Sequence, residues 1–324
     1  MSKLAIGIDL GGTNIKGVII DESGKGYHLT RIATEAYKGG SEVLQNILSL
    51  IESLIEKQGS TESFVGVGIG TPGFVDSEGM VLGGAENIPG WKGMQLYDPI
   101  YKKFGIPAVA ANDVTVMAFA ESKYGAGKGV KNMVCFALGT GVGGGIIING
   151  ELFKGSHGMA GELGHIVVET NGIPCSCGQN GCLEQYASAT GIVNIARKLC
   201  ANVKRSMVST FSEEVNRKPE LVTSKMVYEY VNLHDPQAVL VNETVADMLA
   251  RAIGIVANTL SPDRVVLGGG VMMAGQVIVD AVNRYVPKYC WPTIWDKCDL
   301  KIALLGEDAG VLGAAAMVFE ERGL

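Results

Sequence analysis

Twice along this chain an apolar strand runs into a glycine turn and out into a second β-rich stretch: LAIGIDLGGTNIKGVII starts at Leu4 and VCFALGTGVGGGIII at Val134. A hairpin of that kind satisfies its own backbone locally, and its turn glycines, lacking a Cβ, allow close approach of a ligand. Glycine stands at 45 of 324 residues, close to twice the usual ~7 %. It is clustered in short runs, which excludes a collagen-like chain or a flexible linker. The recurring hairpin predicts an internal duplication, two similar α/β lobes around a cleft, and the length exceeds one comfortable core.

Around the hairpins the hydrophobic spacing alternates between the two regular periods. In the first half, strands are expected at 3–9, 17–20, 27–33, 64–69 and 106–110, with helices at 42–56, 96–104 and 114–124. In the second half, strands at 133–138, 145–148, 264–267 and 301–305 accompany helices at 191–200, 224–233, 238–256 and 309–319. The alternation specifies an α/β class.

The turns suit phosphate. In DLGGTNIKG, Gly11 and Gly12 expose backbone N–H groups beside the polar side chains of Thr13, Asn14 and Lys16, and Asp9 at the strand end offers hard oxygen for magnesium. The plain alternative is a glycine hairpin with Asp9 as a turn former. LGTGVGGG, with Thr140 and Gly141, reads as a second cradle. Its GxGxxG spacing fails as a dinucleotide fingerprint because β-branched residues, not a helix, follow. The match at Gly68, Gly70 and Gly73 fails for the same reason, and no GxxxxGK[ST] occurs. Gly269 and Gly270, after the strand VVL, would let a flat base lie on bare backbone, or make a simple strand-to-helix turn.

HIVVETNGIPCSCGQNGC, from His165 to Cys182, holds four soft ligands. Cys175, Cys177 and Cys182 lie among Gly178, Asn180 and Gly181, residues that let the backbone fold back, and with His165 they read as a structural zinc knuckle. Ordinary thiols are the bland alternative. A disulfide framework fits worse, since seven cysteines is an odd number and Cys135, Cys200, Cys290 and Cys298 are scattered. Asn112 and Asp113 fall where a strand ends and a helix starts, the position at which α/β ligands gather and also where helix N-caps occur. Glu162 and Glu184 flank the knuckle; either is a surface charge if isolated, but two carboxylates, an amide and an imidazole together suit a polyol.

A net charge of -6 with no basic run argues against nucleic acid or anionic membrane as a partner. No apolar stretch approaches the ~20 residues of a spanning helix, so a soluble, cytoplasmic protein is expected.

Taken together, DLGGTNIKG, GIGTPGFVD, ANDV, LGTGVGGG with GMAGELGH, CSCGQNGC followed by Leu183 and Glu184, and SPDRVVLGGGV resemble the ROK family of sugar kinases and sugar-responsive repressors over nearly the whole chain. The resemblance implies an actin/hexokinase-like (ribonuclease H-like) fold of two lobes, one formed by residues 1–118 with 308–324 and the other by 119–307 with the knuckle at 165–182. It implies that Asp113 is the general base, that Asn112, Glu162, His165 and Glu184 hold a sugar, with Gly73 and Asn87 in the substrate segments, and that ATP with magnesium lies on Asp9, Gly11, Gly12, Thr13, Asn14, Lys16, Thr140, Gly141, Gly269 and Gly270. Zinc falls to His165, Cys175, Cys177 and Cys182. The hydroxyl attacked would be the 6-hydroxyl of a hexose. GTPGFVD, ENIPGWKG and SATG look most like the family's glucose kinases, with N-acetylmannosamine and N-acetylglucosamine kinases as alternatives. A sugar-sensing repressor is disfavoured, since only eight residues precede Asp9. A homodimer is the family expectation.

Overall fold

The first hairpin closes more tightly than the sequence predicts. Strand β1 (Leu4–Leu10) is followed by β2 (Asn14–Asp21), antiparallel with Asp9 opposite Lys16 and Leu10 opposite Ile15, so the turn is only Gly11 to Thr13. Gly11 N–H donates to Asn14 O at 3.0 Å. Lys16 is therefore a strand residue, not a loop residue. The computed structural model describes residues 3–59 and 63–323.

β3 (Gly26–Ala33) continues the meander, helix α1 (Gly40–Gln58) follows, and β4 (Phe64–Thr71) returns parallel to β1. A short ribbon of β5 (Phe74–Val75) and β6 (Val81–Gly83) precedes α2 (Tyr97–Phe104), and β7 (Ala108–Asn112) runs parallel to β4 into α3 (Asp113–Tyr124). The sheet order is β3-β2-β1-β4-β7. Because β1, β4 and β7 are parallel, with Asp9 beside Gly70 and Thr71 beside Asn112, their carboxyl ends share one edge.

α1 covers one face with Val43, Ile47, Ile51 and Leu54, all fully buried against Ile6, Ile8 and Ile69. The last helix, α11 (Ala309–Glu321), covers the other, and the contact is backbone on backbone. A Cβ at Gly68 would stand 1.7 Å from Ala314 O and one at Gly7 2.0 Å from Val311 O. Glycine in these two strands thus sets how deeply the helix seats.

A second sheet repeats the plan. It contains β8 (Met133–Leu138), β9 (Val142–Ile148), β10 (Glu151–Leu152), β11 (Arg264–Gly268) and β12 (Asp299–Ile302), in the order β10-β9-β8-β11-β12. In both sheets the order is third, second, first, fourth, fifth, with the fourth and fifth strands parallel to each other. Between β10 and β11 lie α4 (Glu184–Ala187), α5 (Ala189–Ala201), α6 (Thr210–Arg217), α7 (Ser224–Asn232) and α8 (Pro236–Leu260); α9 (Gln276–Tyr285) and α10 (Pro292–Trp295) precede β12. α6 and α9 were not expected from spacing. α6 is a single short amphipathic stretch held by a Ser209/Ser212 capping box. β12 begins two residues earlier and ends three residues earlier than predicted, because its register pairs Asp299 to Ile302 with Arg264 to Leu267 of β11.

By internal packing the chain divides into two units, Met1–Lys131 with Gly145–Gly161 and Leu304–Leu324, and Asn132–Gly144 with Glu162–Ala303. These differ from a division at 118, which would cut α3 before the buried Phe119, Ala120 and Glu121. Among the described residues no helix is long and apolar enough to cross a membrane.

Candidate functional site

In the first unit the glycine turn is braced from beneath. Thr34, fully buried, donates through Oγ1 to Gly11 O at 2.6 Å, and its N–H donates to Thr13 O at 2.9 Å. Gly12, Thr13 and Asn14 remain exposed, but the Thr13 and Asn14 carbonyls are taken by Thr34 N and Gly11 N, so the Gly11 N–H that the sequence offers to a phosphate is closed into the turn instead. A Cβ at Gly12 would lie 3.5 Å from Asn87 Nδ2, which brings the ENIPGWKG segment beside the turn. Trp91 of that segment is a buried anchor, its Nε1 donating to Thr71 Oγ1 at 2.9 Å. Lys16 is drawn elsewhere: Nζ donates to Glu307 O at 2.6 Å and lies 3.5 Å from the Glu307 carboxylate, which also pairs with Arg31.

Asp9 ends up against the start of α11. Burial, then the neighbouring charge of Asp113, raise its carboxyl to about 6 against a smaller opposing pull from Lys16. A carboxylate raised by burial and by the charge of a second carboxylate is a donor that a divalent cation would relieve, and magnesium is commonly held by one or two carboxylates plus substrate phosphates. The residues present fit such an ion.

Asn112 takes the helix-cap reading of its position and adds a backbone tie. Its Oδ1 caps α3, accepting from Val114 N at 3.0 Å and Thr115 N at 3.4 Å, while Nδ2 donates to Gly73 O at 3.3 Å. Gly73 has φ +85°, and a Cβ there would stand 2.2 Å from Gly83 O. Asp113 is oriented by Val114 N, which donates to Oδ1 at 2.9 Å. Burial raises its carboxyl, and the Val114 N–H, its own N–H and the Asn112 side chain pull the other way. The result is a part-buried carboxylate held in one orientation at a strand end.

In the second unit the LGTGVGGG turn is strapped to the residues after the knuckle. Glu184 Oε2 accepts from Val142 N at 3.0 Å and would lie 2.4 Å from a Cβ at Gly141. Ala189 N donates to Gly139 O at 2.8 Å and Thr190 Oγ1 to Thr140 O at 3.4 Å. Gly269, at φ +87°, presses on the end of β8, where a Cβ would meet Leu138 O at 2.5 Å. Gly269 and Gly270, both exposed, therefore stand next to the same turn.

Among the described residues none of the seven cysteines is joined in a disulfide. The donor atoms of His165, Cys175, Cys177 and Cys182 lie within 4.8 Å of one another. Cys177 Sγ and Cys182 Sγ are 3.6 Å apart, and Cys175 Sγ is 3.7 Å from His165 Nδ1. A tetrahedral zinc with Zn–S bonds of about 2.3 Å puts its sulfurs about 3.8 Å apart, so the donor set fits that ion. Burial pushes the Cys182 thiol up to about 12; for Cys175 burial acts the same way, but hydrogen bonds from the Cys177 N–H, the Cys177 and Cys182 thiols and His165 outweigh it and lower it to about 6. The Nδ1 of His165 faces the sulfurs, and Nε2 faces away, 3.9 Å from Glu162 Oε2. Gln185, unmarked by any spacing signal, donates through Nε2 to Cys175 Sγ at 3.5 Å.

Two sheets of one strand order, each with a glycine turn after its first strand, belong to the actin/hexokinase-like fold. Within it the chain belongs to the ROK family, whose model matches residues 5–321. It is 36 % identical to a glucokinase of Halalkalibacterium halodurans over 98 % of this chain and 95 % of that one. A Thermotoga maritima glucokinase is 34 % identical over 98 % of each. Among solved structures, a ROK family glucokinase from Streptomyces griseus in complex with glucose and AMPPNP superposes with a TM-score of 0.76 at 31 % identity, covering 97 % of this chain and 98 % of that one.

Proposed function

We propose that this chain phosphorylates the 6-hydroxyl of glucose with ATP as donor and Asp113 as general base. As a class it is an ATP-dependent hexose kinase, the activity for which its glucokinase relatives are named. The observation that carries the finer reading is the Asn112–Asp113 corner: a carboxylate at the end of β7, raised by desolvation, clamped by Val114 N and set beside an amide tied to Gly73.

Phosphoryl transfer asks for positioning and charge neutralisation more than covalent chemistry. Asp113 accepts the proton of the attacking hydroxyl, and its raised carboxyl brings it nearer that task than a solvated aspartate. Asn112 holds the corner rigid. Glu162 and the Nε2 of His165 offer an acceptor and a donor to sugar hydroxyls, and Glu184 is a further acceptor that also fixes the second glycine turn. The backbone of Gly12 and Thr13 in the first turn and of Thr140 and Gly141 in the second, with the Asn14 side chain, Gly269 and Gly270, receives the nucleotide, while the Gly11 and Gly139 N–H groups are spent on Asn14 O and Gly141 O within the turns. Asp9 would hold magnesium, which when bound neutralises phosphate charge. His165, Cys175, Cys177 and Cys182 would hold a structural zinc that orients the imidazole. By the same reading the enzyme works in the cytoplasm as a homodimer, without nucleic acid or membrane.

The test is a coupled ADP-release assay across glucose, N-acetylglucosamine, N-acetylmannosamine, fructose and allose. Glucose should give the highest kcat/KM. A clear preference for either N-acetylated sugar replaces the substrate assignment, and no ADP release with any sugar removes the kinase reading.

A further inference from the structure

We propose that Arg251, on α8, is the positioning residue of the cysteine knuckle, locking the segment after His165 so that the imidazole, the metal and Glu184 keep one geometry. This rests on the zinc reading of the knuckle.

The guanidinium is engaged on two sides. Nη1 donates to Val168 O at 3.1 Å and to Glu169 Oε2 at 3.0 Å, both within the knuckle. Nε and Nη2 donate to Asp247 Oδ2 at 3.2 and 3.0 Å, one turn earlier on the same helix. The other Asp247 oxygen accepts from Tyr289 OH at 2.7 Å, and the Tyr289 ring lies 5.4 Å from the guanidinium carbon. Gly254 makes room for that tyrosine, since a Cβ there would be 2.7 Å from Tyr289 Cβ. Arg251 is thus held by α8 and by Tyr289 before it reaches the knuckle.

The knuckle has little regular structure of its own. Its pairings are the isolated bridges Val167 with Cys182 and Pro174 with Asn180. Residues 166–168 connect its two ends: Val168 N donates to Gly181 O and Leu183 N to Ile166 O, each at 2.9 Å. Holding this segment holds His165, one residue before it, and Cys182, across from it. Glu184 follows two residues later and accepts from Val142 N. The clamp therefore reaches from α8 through the metal ligands to the glycine turn within one unit.

Magnitudes separate this role from a merely stabilising one. An ion pair whose side chains are 29 % exposed for Arg251 and 43 % for Glu169 adds little to global stability because solvent screens it. A fork that grips a backbone carbonyl and a carboxylate at once instead fixes position. Partners that orient metal ligands from outside typically change metal affinity or activity by about 10–100-fold when removed.

The experiment compares zinc-loaded wild type with Arg251→Gln, Arg251→Lys and Glu169→Gln, using whichever sugar the substrate panel ranks best. Zinc transfer to an excess of a chromogenic chelator is followed alongside sugar KM, ATP KM, kcat and thermal melting. Arg251→Gln should release zinc at least about tenfold faster and raise sugar KM more than ATP KM, which reaches the clamp only through Glu184 and the second turn, with kcat near wild type. Lysine, a point charge that cannot serve both sides, should restore only part, and Glu169→Gln should shift both readouts in the same direction by less. If Arg251→Gln does not fold, the last two variants decide by that order. Wild-type zinc release and sugar KM in variants that merely melt earlier overturn the proposal, as does a change confined to ATP KM. A wild-type protein that takes up no zinc overturns the knuckle reading instead, and sugar KM alone then judges the clamp.

Discussion

The Asp9 carboxylate lies so close to Gly310 that a methyl group on that glycine would stand 2.5 Å from Asp9 Cγ and 2.6 Å from Oδ2. Gly310 is the second residue of α11, so Gly310→Ala would gain about 1 kcal/mol of helix propensity and lose about 1–3 kcal/mol by overpacking. The two nearly offset in stability, yet the carboxylate must move. The expected outcome is a melting temperature within a few degrees of wild type with kcat reduced by about 100-fold, the scale on which small misplacements act. Unchanged turnover would show that the position of Asp9 is not required.

Asp113→Asn keeps the volume and the acceptor that Val114 N uses, so the fold should survive. Loss of a general base costs about 10²–10⁴ in kcat. Since burial raises the Asp113 carboxyl, and the base must be ionised to work, wild-type kcat/KM should fall as pH drops, beginning above the ordinary carboxylate range. A variant retaining near-normal turnover would exclude Asp113 as the base.

At Asp9 a shift of the same sign bears on stability. Its folded carboxyl, raised to about 6 from the ordinary 3.8, binds a proton more tightly than the unfolded one. That stability is fully present below the unfolded value and is lost as pH rises through about 6. At pH 7 the charged, part-buried group therefore opposes folding by on the order of 3 kcal/mol. Asp9→Asn should be more stable than wild type in urea at pH 7 and no more stable at pH 3.5, while losing activity. Equal stabilisation at both pH values would exclude titration of this group as the cause.

Local rules made the hairpins, their glycine turns and the knuckle spacing readable, because each depends on residues a few positions apart. The repeated hairpin made the doubling readable, but not the strand order within each sheet. Contacts set by distant segments were not readable. Lys16 looks like a phosphate ligand in DLGGTNIKG, yet its partner Glu307 comes from just before the last helix. Thr34, which braces the first turn, and Gln185, which donates to Cys175, carry no pattern of their own. Glu184 read as a sugar contact, but which N–H its oxygen would meet depended on how the knuckle folds back.

Glu121 is the extreme case, a carboxylate that a helical pattern would put in water. It is fully buried, and accepts from Ala126 N at 2.7 Å through Oε2 and from Leu304 N and Leu305 N at 2.9 and 2.8 Å through Oε1. It thereby ties the end of α3 to the chain that leads into α11. Glu121→Ala would strip three backbone donors of their acceptor and leave a void, at a cost of about 3–5 kcal/mol. Glu121→Gln keeps one oxygen but turns an NH₂ group toward N–H donors, so it should lose a smaller part of that. Urea denaturation at constant pH, with m unchanged, measures both. A loss below about 1 kcal/mol for the alanine variant would mean that water replaces the carboxylate and that the tie does not hold the segment.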